Sequence, residues 1–394
     1  MAPKNEIVYR NRFVKKYNRL FYDAWKIYRF SPLQGLFWLN TLSRQKKMAA
    51  RRRKAEVNGL MVPPVLIYSV TNRCNLRCKG CYAGSRTETG RHEIPIERVR
   101  KLFREASEMG IGVMMIAGGE PLMRPEILWA ASEHRDIIFP VFTNGMLLND
   151  GSISYFKNHR NLIPILSIEG NRSFTDERRG AGVYRQLHQT MARLKQSRTM
   201  FGMSITLTSK NFEEVTNPDW LDTNHKQGCN LFFLVEYVPQ SQSELSLCLT
   251  KKQEGILQSR LEQLRRQLPA LFISLPGDEE RYGGCLAAGR GFMHISSEGD
   301  LEPCPFAPYS DINIGEMSLK ESLRSPFLQN IRQSHHLLSE AKGGCVLWEN
   351  RDWVQNQLQS KRSSVSSMSP YPEVPIKETN DIFHSPSIFS RNRT

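Results

Sequence analysis

The densest group of residues able to do chemistry is "TNRCNLRCKGCYAG", residues 71–84, where three of the chain's eight cysteines, Cys74, Cys78 and Cys81, fall within eight positions just past an apolar run. Three thiolates spaced C-x3-C-x2-C on one loop can hold three irons of a four-iron, four-sulfur cube and leave the fourth iron open to a small ligand. Structural zinc is the competing reading, although such sites normally draw four ligands in two pairs and no fourth ligand lies nearby in the sequence. A disulfide plus a spare thiol is the third. It suits poorly a chain with no membrane-length apolar stretch and with a start, "MAPKNEIVYRNRFVKK", that lacks a signal-peptide core, for which a reducing cytoplasmic setting is expected.

The elements that must position this loop begin near residue 62. Apolar runs recur as "VLIYSV" (65–70), "IGVMMIAGG" (111–119), "DIIFPVFTNG" (136–145), "IPILSIEG" (163–170), "GMSITLTS" (202–209) and "NLFFLVEYVP" (230–239). They are short, rich in Val, Ile and Phe, and end in polar or Gly-containing turns, which suits strands buried on both faces. Helical segments such as "IPIERVRKLFREASEMG", with Gly110 as a stop, and "VYRQLHQTMARLKQS" separate them. Six β-α units in succession predict an α/β fold with a parallel sheet, a partial (β/α)6 TIM-like barrel whose chemistry gathers at the C-terminal strand ends. Those ends carry the cysteine loop, "GGEP" (118–121), "TNG" (143–145) and "SIEG" (167–170).

Taken together, these loops resemble the radical S-adenosylmethionine (SAM) superfamily over roughly residues 62–240. The carriers of the resemblance are C-x3-C-x2-C followed by an aromatic at Cys74, Cys78, Cys81 and Tyr82, "GGEP" after the second strand and "SIEG" after the fourth. It implies a [4Fe-4S] cluster on Cys74, Cys78 and Cys81 whose open iron chelates SAM, and reductive cleavage of SAM to a 5′-deoxyadenosyl radical that takes a substrate hydrogen. It further implies Gly118, Gly119 and Glu120 at the methionine ammonium, Thr143 and Asn144 lining the pocket, and Ser167 and Glu169 at the ribose. Arg179, or Arg178 in its place, would meet the SAM carboxylate, and Tyr82 would lie beside the adenine. Glu169 departs from the family's more common Asp.

Further along, Cys285 and Cys304 frame "CLAAGRGFMHISSEGDLEPC", which reads as a hairpin turning at "SEGD", and Cys345 follows in "KGGC". This resembles the opening of the SPASM and twitch extensions of radical SAM enzymes, which implies a second, auxiliary iron–sulfur cluster on Cys285, Cys304 and Cys345. The family's closing C-x2-C is reduced here to Lys342 and Cys345, so the fourth position would be open or met from a distance, for instance by Cys248. A degenerate module without metal is the alternative. Cys229 reads as a core thiol.

The net charge of +15 is concentrated: residues 1–60 carry 15 Lys and Arg against Glu6, Asp23 and Glu56, a net +12, leaving +3 for the rest. Tyr9, Phe13, Tyr17, Phe21, Trp25 and Tyr28 recur at helical steps among these cations, and "PLQGLFWLNTL" follows. Helices docked on the barrel are the first reading, and contact of residues 1–55 with a membrane surface or an acidic peptide region is the second. Nucleic acid is the weakest, because no recognised binding module accompanies the charge. The expected divisions are thus a basic aromatic helical segment (1–61), the radical SAM barrel (62–268), a twitch-like module (269–360) and a mostly disordered Ser- and Pro-rich tail (361–394). The expected activity is radical modification of a peptide or protein, supplied with electrons by a donor such as flavodoxin or ferredoxin. Radical chemistry on a small molecule or tetrapyrrole precursor is the alternative, and a non-catalytic iron–sulfur carrier or sensor the third reading.

Overall fold

The computed structural model describes residues 4–84, 91–276, 279–334 and 345–359, with side chains not described for residues 4–11, 280, 281 and 359. Lys342 and the tail from 361 therefore lie outside the described residues. Two long helices, α1 (Lys4–Tyr28) and α2 (Pro32–Val57), precede the sheet. The alternation then runs β1 (Val65–Ser69), α3 (Ile96–Met109), β2 (Val113–Ala117), α4 (Pro125–Ser132), β3 (Phe139–Thr143), α5 (Asp150–Asn158) and β4 (Leu162–Ile168). It continues through α6 (Arg172–Arg179), α7 (Val183–Gln196), β5 (Phe201–Leu207), α8 (Phe212–Val215), α9 (Pro218–Lys226) and β6 (Cys229–Glu236). After α10 (Lys251–Gln267) come β7 (Leu271–Leu275), β8 (Phe292–Ile295), β9 (Leu301–Glu302), α11 (Leu319–Ser322), α12 (Pro326–Ser334), α13 (Val346–Glu349) and α14 (Arg351–Gln359).

The nine strands form one sheet in the order β7-β6-β5-β4-β3-β2-β1-β8-β9. Every neighbouring pair is parallel except β8 with β9, so the sheet curls into the expected half-barrel. The six strands from the sequence stand where they were expected. Two more were not anticipated as barrel strands: β7 adds to β6, and β8, the first arm of the hairpin, pairs with β1 in register Val65↔Phe292 to Tyr68↔Ile295. The segment 269–360 is thereby joined to both edges of the sheet. A hairpin can be read locally from its turn, whereas a parallel partner more than 220 positions away leaves no local pattern.

Alternating strand residues build two cores. Leu66, Tyr68, Met114 and Ile116 face the surrounding helices, where α3 contributes Val99, Leu102, Phe103 and Ala106 at helical spacing and ends at Gly110 in the left-handed region. Val65, Ile163, Ile165 and Phe233 point into the half-barrel instead, and there Tyr17, Phe21, Ala24 and Trp38 of α1 and α2 close its lower end. The aromatic stripe of the N-terminal segment is thus packing material, as the first reading expected. Gln45 fixes the contact by donating to the carbonyls of Gly112 (3.0 Å) and Asp136 (3.2 Å).

Candidate active site

The cysteine loop is an extension of the β1–β2 ladder. Val70 N–H donates to Ala117 O (2.9 Å), Gly119 N–H to Thr71 O (2.7 Å) and Glu120 N–H to Arg73 O (2.9 Å). This pairing explains "GG": a Cβ at Gly118 would overlap the Thr71 carbonyl and one at Gly119 the Arg73 carbonyl. The glycines' close approach is therefore first of all to the loop that bears the cysteines. Arg124, buried, holds the same loop by donating to Val70 O (2.8 Å).

Beside the loop is a cavity of about 260 Å³ walled by the C-terminal halves of the strands. Cys74, Cys78, Cys81, Tyr82, Gly118, Gly119, Asn144, Ser167 and Arg179 all border it, together with Arg178. Asn144 Nδ2 reaches Asn75 Oδ1 (2.7 Å) and Cys74 Sγ (3.8 Å), and Arg179 Nη1 lies 3.9 Å from Cys78 Sγ. Tyr82 packs edge-on against Phe306, ring centroids 5.4 Å apart.

Three other residues expected at the ligand sit behind this wall. Glu120 is fully buried and its carboxylate accepts from Leu122 N–H (3.0 Å), Thr143 Oγ1 (2.8 Å) and Asn144 N–H (2.8 Å), so it and Thr143 tie the end of β2 to the end of β3. Glu169, 2% exposed, is gripped by both arginines: Arg178 Nη1 at 2.6 Å, Arg179 Nη2 at 2.8 Å, and Arg179 Nε. These carboxylates orient the groups that line the cavity.

Charge is arranged accordingly. Burial would raise Glu169, but Arg179 and then Arg178 hold its carboxyl below the ordinary range. Burial pushes Glu120 up to about 7 against the donors that hold it down. It also pushes the Cys74 thiol up to about 11, and raises Cys78 although Arg179 pulls that thiol the other way.

The second cysteine group faces the same cavity. Cys285 precedes β8, Cys304 follows β9 and Cys345 caps α13, and all three border the space that Cys74, Cys78 and Cys81 border. Burial, followed by the charge of Glu279 and of the other two thiols, raises Cys285 well above the ordinary thiol range. Cys304 is raised in the same direction by burial and Cys345. Cys248, considered from the sequence as a distant ligand, is instead buried with its Sγ 3.8 Å from Tyr237 O and does not border the cavity. Cys229 is a fully buried core thiol.

Residues 68–217 match the model of the radical SAM superfamily. The chain carries a radical SAM domain. An AdoMet-dependent heme synthase of Methanosarcina barkeri is 25% identical over 288 residues, spanning 66% of this chain and 81% of that protein. The antilisterial bacteriocin subtilosin biosynthesis protein AlbA of Bacillus subtilis is 23% identical over 313 residues, 74% of this chain and 68% of that one. Among solved structures, Streptococcus suis SuiB bound to the precursor peptide SuiA shares the fold with a TM-score of 0.59, at 20% identity over 83% of this chain and 79% of SuiB. The cofactors of a radical SAM domain are a [4Fe-4S] cluster and SAM, and the residues present fit them. Three soft sulfur donors from one loop border a cavity with room for a ligand, and the Arg179 guanidinium beside Cys78 offsets thiolate charge.

Three features of the radical SAM site had no sequence motif to announce them. Glu236 and Glu279, both buried, line the cavity at the end of β6 and after β7. Beneath the cysteine loop, Ser69 Oγ meets His294 Nε2 (2.8 Å) and His294 Nδ1 meets Glu302 Oε2 (2.6 Å). This trio has the residue types of a nucleophile relay, but His294 is fully buried and none of the three borders the cavity. It bolts β1 to β8 and β9, and so joins the carriers of the two cysteine groups.

Proposed function

We propose that the chain is an oxygen-sensitive radical SAM enzyme that modifies a peptide or protein. The observation that carries this reading is that two cysteine groups, Cys74, Cys78, Cys81 and Cys285, Cys304, Cys345, front one cavity whose rim includes Gly118, Gly119 and Arg179. When bound, the cluster and SAM supply one-electron cleavage of SAM and removal of a substrate hydrogen atom. Cys74, Cys78 and Cys81 hold the [4Fe-4S] cluster. Asn144 and the Gly118–Gly119 edge border the methionine end of SAM, with Glu120 and Thr143 fixing Asn144 from behind. Arg179, assisted by Arg178, meets the SAM carboxylate while Glu169 keeps both guanidiniums aimed. Ser167 serves the ribose and Tyr82 the adenine. Residues 62–268 form the SAM-binding unit, and residues 269–360 a twitch-like unit whose cysteines hold the auxiliary cluster. A flavodoxin- or ferredoxin-type donor and a membrane surface met by residues 1–55 complete the partners.

A peptide is favoured by the wall's charge. Among the described residues lining the cavity the cations are Arg178 and Arg179, and both are already paired with Glu169. A tetrapyrrole with several carboxylates needs more cationic charge than that. SuiB, of the same fold and bound to a precursor peptide, and AlbA, from bacteriocin biosynthesis, support the same reading. The tetrapyrrole reading rests on the similarity to the heme synthase. Anaerobically reconstituted protein with dithionite and SAM is expected to yield 5′-deoxyadenosine, and to change the mass of a short peptide encoded beside its gene. No 5′-deoxyadenosine from the cluster-loaded protein would overturn the enzyme reading. Cleavage coupled to loss of a tetrapyrrole precursor, with every such peptide unchanged, would select the second.

A further inference from the structure

The helices α1 and α2 have one face against the barrel and another that stays exposed among the described residues. Among the described residues six large hydrophobics are exposed, and five of them, Tyr22 (44%), Phe30 (84%), Leu33 (66%), Leu36 (56%) and Leu39 (52%), fall within 18 positions around the turn between α1 and α2. Leu33, Leu36 and Leu39 advance by three residues each, so they share one side of α2, and Phe30 stands in the turn just before it. Scattered exposed leucines are ordinary, but a contiguous apolar elbow marks a contact surface. The elbow is no loose end: Trp38 is buried with its Nε1 3.3 Å from Met200 Sδ, and Gln34 Nε2 donates to Arg198 O (3.0 Å).

Along the two helices the exposed charge is one-sided. Between residues 12 and 57 the two helices and their turn expose ten Lys and Arg, whereas Asp23 and Glu56 are both partly buried. Two of the cations flank the elbow's own rings: Lys26 Nζ lies 4.6 Å from the centre of the Tyr22 ring, and Arg29 Cζ 4.7 Å from that of Phe30. We propose that the α1–α2 elbow docks on an anionic lipid bilayer, with Phe30, Leu33, Leu36 and Leu39 entering the headgroup–acyl boundary and the surrounding Lys and Arg meeting lipid phosphates.

Apolar side chains collared by cations match such an interface on both counts. A soluble phosphate or a nucleic acid would use the cations and leave the leucines in water. A second copy of the chain on a twofold axis would set two strongly positive faces against each other. The placement also suits the catalytic cavity. The inner side of α1 and α2 packs on Val65, Ile138, Ile163 and Met200, at or just before the N-terminal ends of β1, β3, β4 and β5, while the cavity opens at the other ends. A bilayer at the elbow therefore leaves the cavity facing the aqueous side.

The test is cosedimentation of the full-length holoenzyme with vesicles of phosphatidylglycerol and phosphatidylcholine, or of phosphatidylcholine alone, at about 50 mM salt and again at high salt. Binding to the anionic vesicles alone, weakened by salt, is expected. A Phe30→Ser/Leu33→Ser/Leu36→Ser variant keeps every charge, and a Lys26→Gln/Arg29→Gln/Lys46→Gln/Lys47→Gln variant keeps the elbow. Each should lose about tenfold or more in partitioning while forming 5′-deoxyadenosine at the wild-type rate without vesicles. Wild-type protein that ignores anionic vesicles at low salt overturns the proposal. So does an apolar variant that still binds them fully, because charge alone, as for an acidic protein or free phosphate, would then suffice. A wild-type dimer in the ultracentrifuge that the apolar variant turns into monomer, with no vesicle binding by either, assigns the elbow to a second copy instead.

Discussion

The two cysteine groups face the same cavity but are made in opposite ways. Cys74, Cys78 and Cys81 sit on one loop held by main-chain pairing to the end of β2, with Arg179 against one sulfur and Glu169 behind it. Cys285, Cys304 and Cys345 come from three separate segments spread over sixty positions, and the pairing of β8 with β1 and of β9 with β8 brings Cys285 and Cys304 to the cavity that Cys345 also borders. Cations temper burial at Cys78, whereas Glu279 and the neighbouring thiols add to it at Cys285. The first group is thus a local chelating loop with a cation, Arg179, placed to offset the charge of its thiolates. The second is a product of tertiary assembly in a low-dielectric corner.

The sharpest way to break this contrast is to remove each group in turn. Cys74→Ala/Cys78→Ala/Cys81→Ala should end 5′-deoxyadenosine formation, a loss of at least about 10³-fold or on the order of 4 kcal/mol in the barrier, read by chromatography after anaerobic reduction. Cys285→Ala/Cys304→Ala/Cys345→Ala should leave SAM cleavage within about tenfold of wild type and abolish conversion of substrate. Equal losses in both variants would mean that the groups do not divide the work.

The charge compensation can be tested by itself. Glu169→Ala would leave Arg178 and Arg179 without their buried partner and should cost about 3–5 kcal/mol in a denaturant titration. Because the folded carboxyl is held below its ordinary value of 4.5, its contribution is complete above that pH and disappears as pH falls through the lower folded value. The deficit of the variant should therefore shrink in acid. An unchanging deficit would show that side-chain packing, not charge, is what Glu169 provides.

The smallest effect concerns the bolt between the two halves. Ser69→Ala removes one partner of His294 and should lower stability by about 1–2 kcal/mol, measured as a shift in denaturant midpoint, without changing iron content. Iron lost selectively from one cysteine group would give the trio a direct part in assembling that site.

What the sequence made legible follows the same division. Six strands, their order and the cysteine loop could be read because apolar runs and turn residues are local signals. Residue types at the site were also legible, as with Glu120 and Glu169, but not their direction. Whether a carboxylate meets a ligand or ties β2 to β3 depends on which donors packing brings to it. β7 and the pairing of β8 with β1 left no trace for the same reason, nor did Glu236 and Glu279, which belong to no motif. At the N-terminus, periodicity found the stripe of Tyr17 and Phe21 that packs inward, yet gave no means of telling it from Phe30, Leu33 and Leu36, which face outward.

The central claim, two clusters fronting one cavity, is tested most directly by counting iron and sulfide with Mössbauer spectra on anaerobically reconstituted wild type and the two triple variants. Two clusters require about eight irons in the wild type and about four in each variant, with SAM perturbing only the cluster lost on changing Cys74, Cys78 and Cys81. If the variant lacking those three cysteines binds no iron, the C-terminal group holds no cluster and the protein is a one-cluster enzyme.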